Sequence, residues 1–232
     1  PIFKADVFST SNNVFGFQKI HNTYITNNFE GQINTGQMAE QLLAKVQQLG
    51  VKILNGIAVE KFTENGAEVA VKTTKISFKT KKIFIATNGF SKELLDENVQ
   101  PARAQVLITK PIKNLAIKGT FHLDKGYYYF RNIHERILFG GGRNLDFETE
   151  ETTNFGQTKR IQNELEKILK DTILPNTSFE IEHRWSGIMG VGNQKKAIVK
   201  QLSNNVFCGI RMGGMGVAIG SLVGKELAQL LD

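Results

Sequence analysis

The sequence predicts a mixed α/β (α+β) fold in which an antiparallel-sheet domain is inserted into a second domain of helix and strand. Three observations carry this expectation. Residues 30 to 100 run helix, strand, small antiparallel insert and buried strand. Residues 101 to 184 read as antiparallel strands with one long helix. The closing glycine-rich helix has no sheet of its own nearby, so it must return to the first block. The expected division is therefore 30–100 with 185–232 as one domain, and 1–29 with 101–184 as the other.

The first clear element is a helix from Thr35 to Leu49, whose apolar stripe is Met38, Leu42, Val46 and Leu49; Asn34 or Thr35 caps it and Gly50 stops it. Val51 to Leu54 reads as a short strand. Ile57 to Phe62 and Glu68 to Lys72 form a hairpin across Glu64-Asn65-Gly66, because Asn-Gly between alternating runs is the strongest short-range hairpin signal. Ile76 to Phe78 alternates again. Ile83 to Ala86 is a continuous apolar run of the kind buried on both faces, and Thr87-Asn88-Gly89-Phe90 turns the chain toward a short helix capped by Ser91.

Beyond Pro101, strands are expected at Gln105 to Thr109, Gly126 to Phe130 and Arg136 to Gly140. A long helix follows from Thr153 to Ile173, with the stripe Phe155, Ile161, Leu165, Ile168 and Leu169 and with Pro175 just past its end. Glu180 to Arg184, Ala197 to Lys200 and Val206 to Gly209 are further strands. The last helix opens after Gly216 and packs Val217, Leu222, Val223, Leu227 and Leu230.

Composition narrows the function classes. With 232 residues, 41% hydrophobic and 22% charged, the chain is an ordinary globular one, long enough to bury a core without staples. Its single cysteine, Cys208, allows no internal disulfide and no cysteine-based zinc site, and fits a reducing, cytoplasmic setting. The net charge of +7 permits attraction to polyanions, but the basic residues are spread out, and the densest group, Lys72, Lys75, Lys79, Lys81 and Lys82, falls on an exposed hairpin. A nucleic-acid partner is not expected. The most apolar stretch, Val206 to Gly224, carries Arg211, so no membrane span is expected. Pro1-Ile2-Phe3-Lys4 has no signal-peptide layout and reads as the middle of a longer chain.

The most informative stretch runs from Phe207 to Lys225. A strand ends in Gly213, Gly214 and Gly216, and a helix begins at once. A helix start offers unpaired N–H groups and about half a unit of positive charge, which attracts anionic or electron-rich atoms. A dinucleotide fingerprint would need a further strand and an acid roughly 20 residues on. Only twelve residues follow Gly220, so that reading fails.

Seven motifs in order resemble the FAD-dependent D-amino-acid oxidase superfamily, of which glycine and sarcosine oxidases are familiar members. They are Glu30 to Asn34 before a helix, Gly50 to Ile53 after it, Ile83 to Gly89, Pro101 to Gln105, Gly126 to Tyr128, Trp185 to Gly187 and the terminal glycine helix. The resemblance implies an FAD-binding domain, incomplete because the first strand, its Gly-x-Gly-x-x-Gly turn and the ribose-binding acid have no counterpart in this sequence, with an inserted antiparallel-sheet substrate domain. It implies FAD as cofactor and a small amine or amino acid as substrate, oxidised at a C–N bond. Val59 falls where the family's backbone meets the adenine. Ala86, Thr87, Asn88 and Gly89 fall at the pyrophosphate or ribitol, and Gly213, Gly214, Met215, Gly216, Val217 and Ala218 at the flavin's pyrimidine edge.

For the substrate carboxylate the resemblance points to Tyr127, with Tyr129 and Arg131 placed on its face by strand alternation. The position of the family's carboxylate-binding arginine is occupied by Met189, a departure that leaves Arg211, and less directly Arg103, to supply the guanidinium. Alternatives within reach of the sequence are a tRNA-modifying relative with the same flavin chemistry and a non-catalytic polyanion-binding module of the same fold. His21, His122, His134 and His183 lack metal-ligand spacing. Gly140-Gly141-Gly142-Arg143 is read as a strand end near a bend, and Trp185 and Cys208 as packing residues.

Overall fold

The computed structural model describes residues 2–231. Its strands and α-helices, in chain order, are β1 (Phe8–Asn12), β2 (Thr23–Asn27), α1 (Thr35–Gln48), β3 (Val59–Asn65), β4 (Glu68–Thr73), β5 (Ser77–Thr80), β6 (Ile83–Ile85), β7 (Gln100–Thr109), β8 (Thr120–Leu123), β9 (Tyr128–Ile133), β10 (Arg136–Gly141), α2 (Lys159–Ile168), β11 (Ile181–Val191), β12 (Ile198–Gln201), β13 (Val206–Ile210) and α3 (Gly216–Gln229). The chain divides into two compact units. One comprises residues 1–33, 104–150 and 155–187; the other comprises 34–103, 151–154 and 188–232.

The first unit holds the antiparallel hairpin β1–β2 and a five-stranded sheet in the order β11-β7-β10-β9-β8. Cross-strand register puts Phe121, Phe130, Phe139 and Leu107 on one face. Against that face pack Ile161, Leu165, Leu169 and Ile173, four residues apart and each at most 1% exposed. Each such side chain contributes roughly 1.5–3 kcal/mol by leaving water. The helix starts at Lys159 rather than Thr153, because Gly156 takes a φ of 137° and the extended Thr158 gives its N–H to Gln105 Oε1 at 3.0 Å. Phe155 therefore lies outside the helix and is 66% exposed. After Ile168 the helix widens to a π turn over Leu169–Ile173, where Leu174 N donates to Leu169 O at 2.8 Å, and Pro175 follows.

The ion pairs on this unit's surface include Lys19–Asp171 and Lys110–Glu180, both at 2.6 Å, and Arg136–Glu182 at 2.7 Å. The hydrogen bond from each cation holds its carboxylate below the usual carboxylate range. A depressed folded pKa gives stability that is present above the unfolded value and lost as pH falls through the folded one. Thermal melts should therefore lose stability progressively below about pH 4.5, and strong salt should flatten that slope because the pairs are exposed.

In the second unit α1 forms as expected: the Asn34 side chain accepts from Gln37 N at 3.1 Å, and Gly50, at φ 83°, follows the end. No residue of α1 is buried, and Leu42 and Leu49 are 59% and 70% exposed. Val51 to Leu54 is not a strand; among the described residues no strand pairs with it to complete its backbone hydrogen bonds. The meander β3-β4-β5 is antiparallel and turns at Gly66-Ala67, one residue later than the Asn-Gly pattern suggests. On it, Lys72 pairs with Glu60 and Lys79 with Glu68, so part of its positive charge is neutralised locally.

A second sheet, order β12-β13-β6, is antiparallel between β12 and β13 and parallel between β13 and β6. β13 is buried throughout, and α3 closes on it at Gly209, where a Cβ would stand 3.0 Å from Leu227 and 3.2 Å from Val223. β6 is not buried on both faces as its composition suggests. Phe84 is 38% exposed and the strand has a neighbour on one side only. Ser91 does not begin a helix but lies within a 3-10 turn over Asn88–Glu93, its hydroxyl donating to Asn88 O at 2.7 Å. Among the described residues, no helix is long and apolar enough to cross a membrane.

Candidate functional site

The glycine turn between β13 and α3 supplies an open cluster of amides. Gly213 and Gly214 adopt φ of 58° and 83°, a region that costs other residues roughly 1–2 kcal/mol. Gly213 N donates to Gly190 O, Met215 N to Met212 O, and Ala218 N and Ile219 N to Met215 O. Among the described residues the amides of Gly214, Gly216 and Val217 meet no acceptor. Gly213, Gly214, Met215, Val217 and Ala218 are all exposed, so these donors open onto the surface at the positive end of a 14-residue helix.

Asn88 holds that turn in place. It sits at φ 45°, a conformation asparagine tolerates better than most residues, and its Oδ1 accepts from Met212 N at 3.0 Å. Gly190 lies directly beneath, since a Cβ there would come within 2.7 Å of Asn88 Oδ1. Gly89 packs as tightly on the same strand: its Cβ would stand 2.8 Å from both Ile188 O and Met189 O. Three segments far apart in sequence, 88–89, 188–190 and 212–214, thus meet at one point. Ala86 and Thr87 lead into it, both exposed. Met189, at the position of the family's arginine, brings its Sδ to 3.3 Å from where a Gly214 Cβ would lie.

Arg211 is 8% exposed and its guanidinium is occupied by backbone: Nε donates to Lys196 O at 2.8 Å and Nη1 to Asn98 O at 3.1 Å. Its φ of 61° carries strain that these bonds offset. Val59 begins β3, opposite Thr73, and belongs to the meander rather than to the glycine cluster. Cys208 is fully buried and its thiol pKa is pushed up by burial, so it is chemically quiet.

The remaining residues that the resemblance singled out lie in the first unit. Tyr129 and Arg131 share one face of β9, opposite Tyr128 and Phe130, and register adds His122 beside Tyr129. Tyr127 precedes the strand in a helical conformation, so alternation does not extend to it; its ring is 42% exposed and meets the edge of Phe147 at 6.3 Å. Burial pushes the Tyr129 phenol pKa up, which keeps it a protonated donor. Arg131 Nη1 donates to Ile33 O.

The run Gly140-Gly141-Gly142 serves packing. A Cβ on Gly140 would strike Val106 and come within 2.9 Å of the Tyr129 ring, and one on Gly141 would strike Tyr127 O. Gly140 thus makes room for the Tyr129 ring, a role visible in sequence only as a glycine where a strand residue belongs. Among the described residues no three His, Cys, Asp or Glu side chains gather as a metal site.

A family model for FAD dependent oxidoreductases matches residues 18–230. No curated protein matches the sequence. Among solved structures, the chain resembles L-proline dehydrogenase from P. horikoshii (TM-score 0.74, 21% identity, covering 90% of this chain and 58% of that one). It also resembles glycine oxidase from Geobacillus kaustophilus (0.77, 16%, 90% and 57%) and L-amino acid deaminase from Proteus vulgaris (0.75, 15%, 97% and 60%). The chain therefore spans less than two thirds of the length of each of these proteins, whose fold it shares. By the span of the family match, the chain belongs to the FAD-dependent oxidoreductases of the D-amino-acid oxidase superfamily.

Proposed function

We propose that the protein oxidises a C–N bond of an amino acid or secondary amine, with FAD held partly by this chain and partly by residues outside it. The observation that carries the reading is the set of unbonded amides of Gly214, Gly216 and Val217 at the start of α3. Their fit to a flavin is chemical: fixed N–H dipoles at a helix start favour an electron-rich ring edge and need little reorganisation when charge develops there. FAD held at these amides would supply the two-electron acceptor for the hydride of the amine-bearing carbon, with the nitrogen proton released to solvent, and the imine so formed would take up water to give a carbonyl compound and an amine.

The residues of this chain have distinct parts. Asn88 and Gly190 fix the height of the turn, Arg211 ties its base to Lys196 and Asn98, and Gly213 and Gly214 leave the approach clear of side chains. Tyr129, kept protonated, is the proposed donor to a substrate oxygen, with Tyr127 and Arg131 beside it in sequence. With Met189 in place of arginine, an apolar group of the substrate is expected at that point. The exposed stripe of α1 and the single-sided β6 support a further segment that covers them and carries the nucleotide half of the cofactor.

The test uses the full-length protein with FAD. Anaerobic addition of glycine, sarcosine, proline and larger D- and L-amino acids should bleach the oxidised-flavin absorption with at least one of them, releasing a stoichiometric carbonyl product. A flavoprotein reduced by dithionite but by no amine would remove the substrate class while leaving the family standing.

A further inference from the structure

The first unit contains a cavity of about 440 Å³ on the sheet face opposite Tyr129 and Arg131. Phe121, Leu123, Tyr128 and Phe130 form its floor, and Phe17 and Ile173 its walls. This volume lies within the roughly 300–1,000 Å³ of small-molecule sites. Three rings on the lining are already arranged for aromatic contact. Phe121 and Phe130 stack at 4.6 Å, and Phe17 presents edges to both, at 5.3 and 5.5 Å.

The backbone around the cavity is irregular in two independent ways. The π turn Leu169–Ile173 supplies Thr172 and Ile173, a widening that recurs at functional sites. Lys19 and Asp124, at its rim, hold φ of 57° and 46°.

Charge decides the kind of ligand. The rim lysine, Lys19, is neutralised by Asp171 at 2.6 Å, while Asp124 would repel an anion. The other polar groups on the lining are the hydroxyls of Thr23, Tyr24, Tyr128 and Thr172 and the imidazoles of His21 and His122. Burial together with nearby Glu164 and Asp124 raises the Tyr128 pKa, so that phenol stays protonated.

We infer that this cavity is a binding site for an uncharged, planar aromatic small molecule bearing a hydrogen-bond acceptor, separate from the proposed flavin site. Its position on the opposite face of β9 means that it stands or falls without the oxidase reading.

The experiment titrates the full-length protein with 6-propionyl-2-(dimethylamino)naphthalene, an uncharged planar fluorophore whose ketone is a hydrogen-bond acceptor, and with an anionic naphthalene, the sulfonate 1-anilinonaphthalene-8-sulfonate. The expected result is saturable 1:1 enhancement with the uncharged probe and at least tenfold weaker binding of the sulfonate. Thr172→Trp, which fills the cavity, should weaken the uncharged probe at least tenfold. Thr23→Trp does the same from an exposed rim position, and decides the matter if the first variant fails to fold. Non-saturable binding, equal or tighter binding of the sulfonate, or undiminished binding in a folded plugged variant would overturn the site.

Discussion

Gly190→Ala is expected to destabilise the protein by roughly 3 kcal/mol, the upper range for forced overpacking, and to weaken FAD retention. The new methyl would stand 2.7 Å from Asn88 Oδ1 and 3.0 Å from the Asn88 carbonyl carbon and oxygen. Backbone cannot swing aside as a side chain can, and Oδ1 cannot move without releasing Met212 N. Gly190 O also receives Gly213 N, so the displacement reaches the glycine turn itself. Gly187→Ala, three residues earlier with open space around its Cβ, should shift stability by no more than about 0.5 kcal/mol. Urea midpoints followed by far-UV circular dichroism make the comparison; equal midpoints would mean that the turn is not held through this contact.

Arg211→Met should cost about 2 kcal/mol, because it removes the two hydrogen bonds that a buried guanidinium donates to Lys196 O and Asn98 O. Arg211→Lys should recover less than half of the loss, since one ammonium cannot supply both directed N–H groups. A binding role for this guanidinium predicts the reverse: Met at 211 would leave the urea midpoint unchanged and raise KM for a carboxylate substrate. The two outcomes are separated by measuring stability and KM on the same preparation.

How far the sequence discloses this arrangement depends on how local each signal is. α1 is legible because its cap and its stop lie within its own ends, at Asn34 and Gly50. The meander is legible because alternation and an Asn-Gly turn are short-range. β1 and β2 escape notice because Phe8–Asn12 and Thr23–Asn27 are mostly polar and find each other across a ten-residue connection. Val51 to Leu54 looks like a strand because composition cannot report that no partner strand stands beside it.

The same contrast runs through the site. The glycine turn before α3 stands out from composition alone. The Asn88–Met212 bond, between residues 124 apart, and the contact of Gly140 with Tyr129 arise only when the strands assemble. Arg211 illustrates the limit: an arginine beside a glycine turn invites a ligand-binding role, while the partners that occupy it are backbone carbonyls that no side-chain pattern announces.

Flavin binding by the first amides of α3 is the proposal on which the oxidase reading rests. Val217→Pro tests it, because proline is tolerated in the first turn of a helix and removes one N–H that meets no acceptor within the described residues. Titration of the full-length protein with FAD, read by flavin absorption, should give at least a tenfold higher Kd for the variant with its circular dichroism unchanged. An unchanged Kd, or a wild-type protein that stays colourless with FAD in excess, would contradict that proposal.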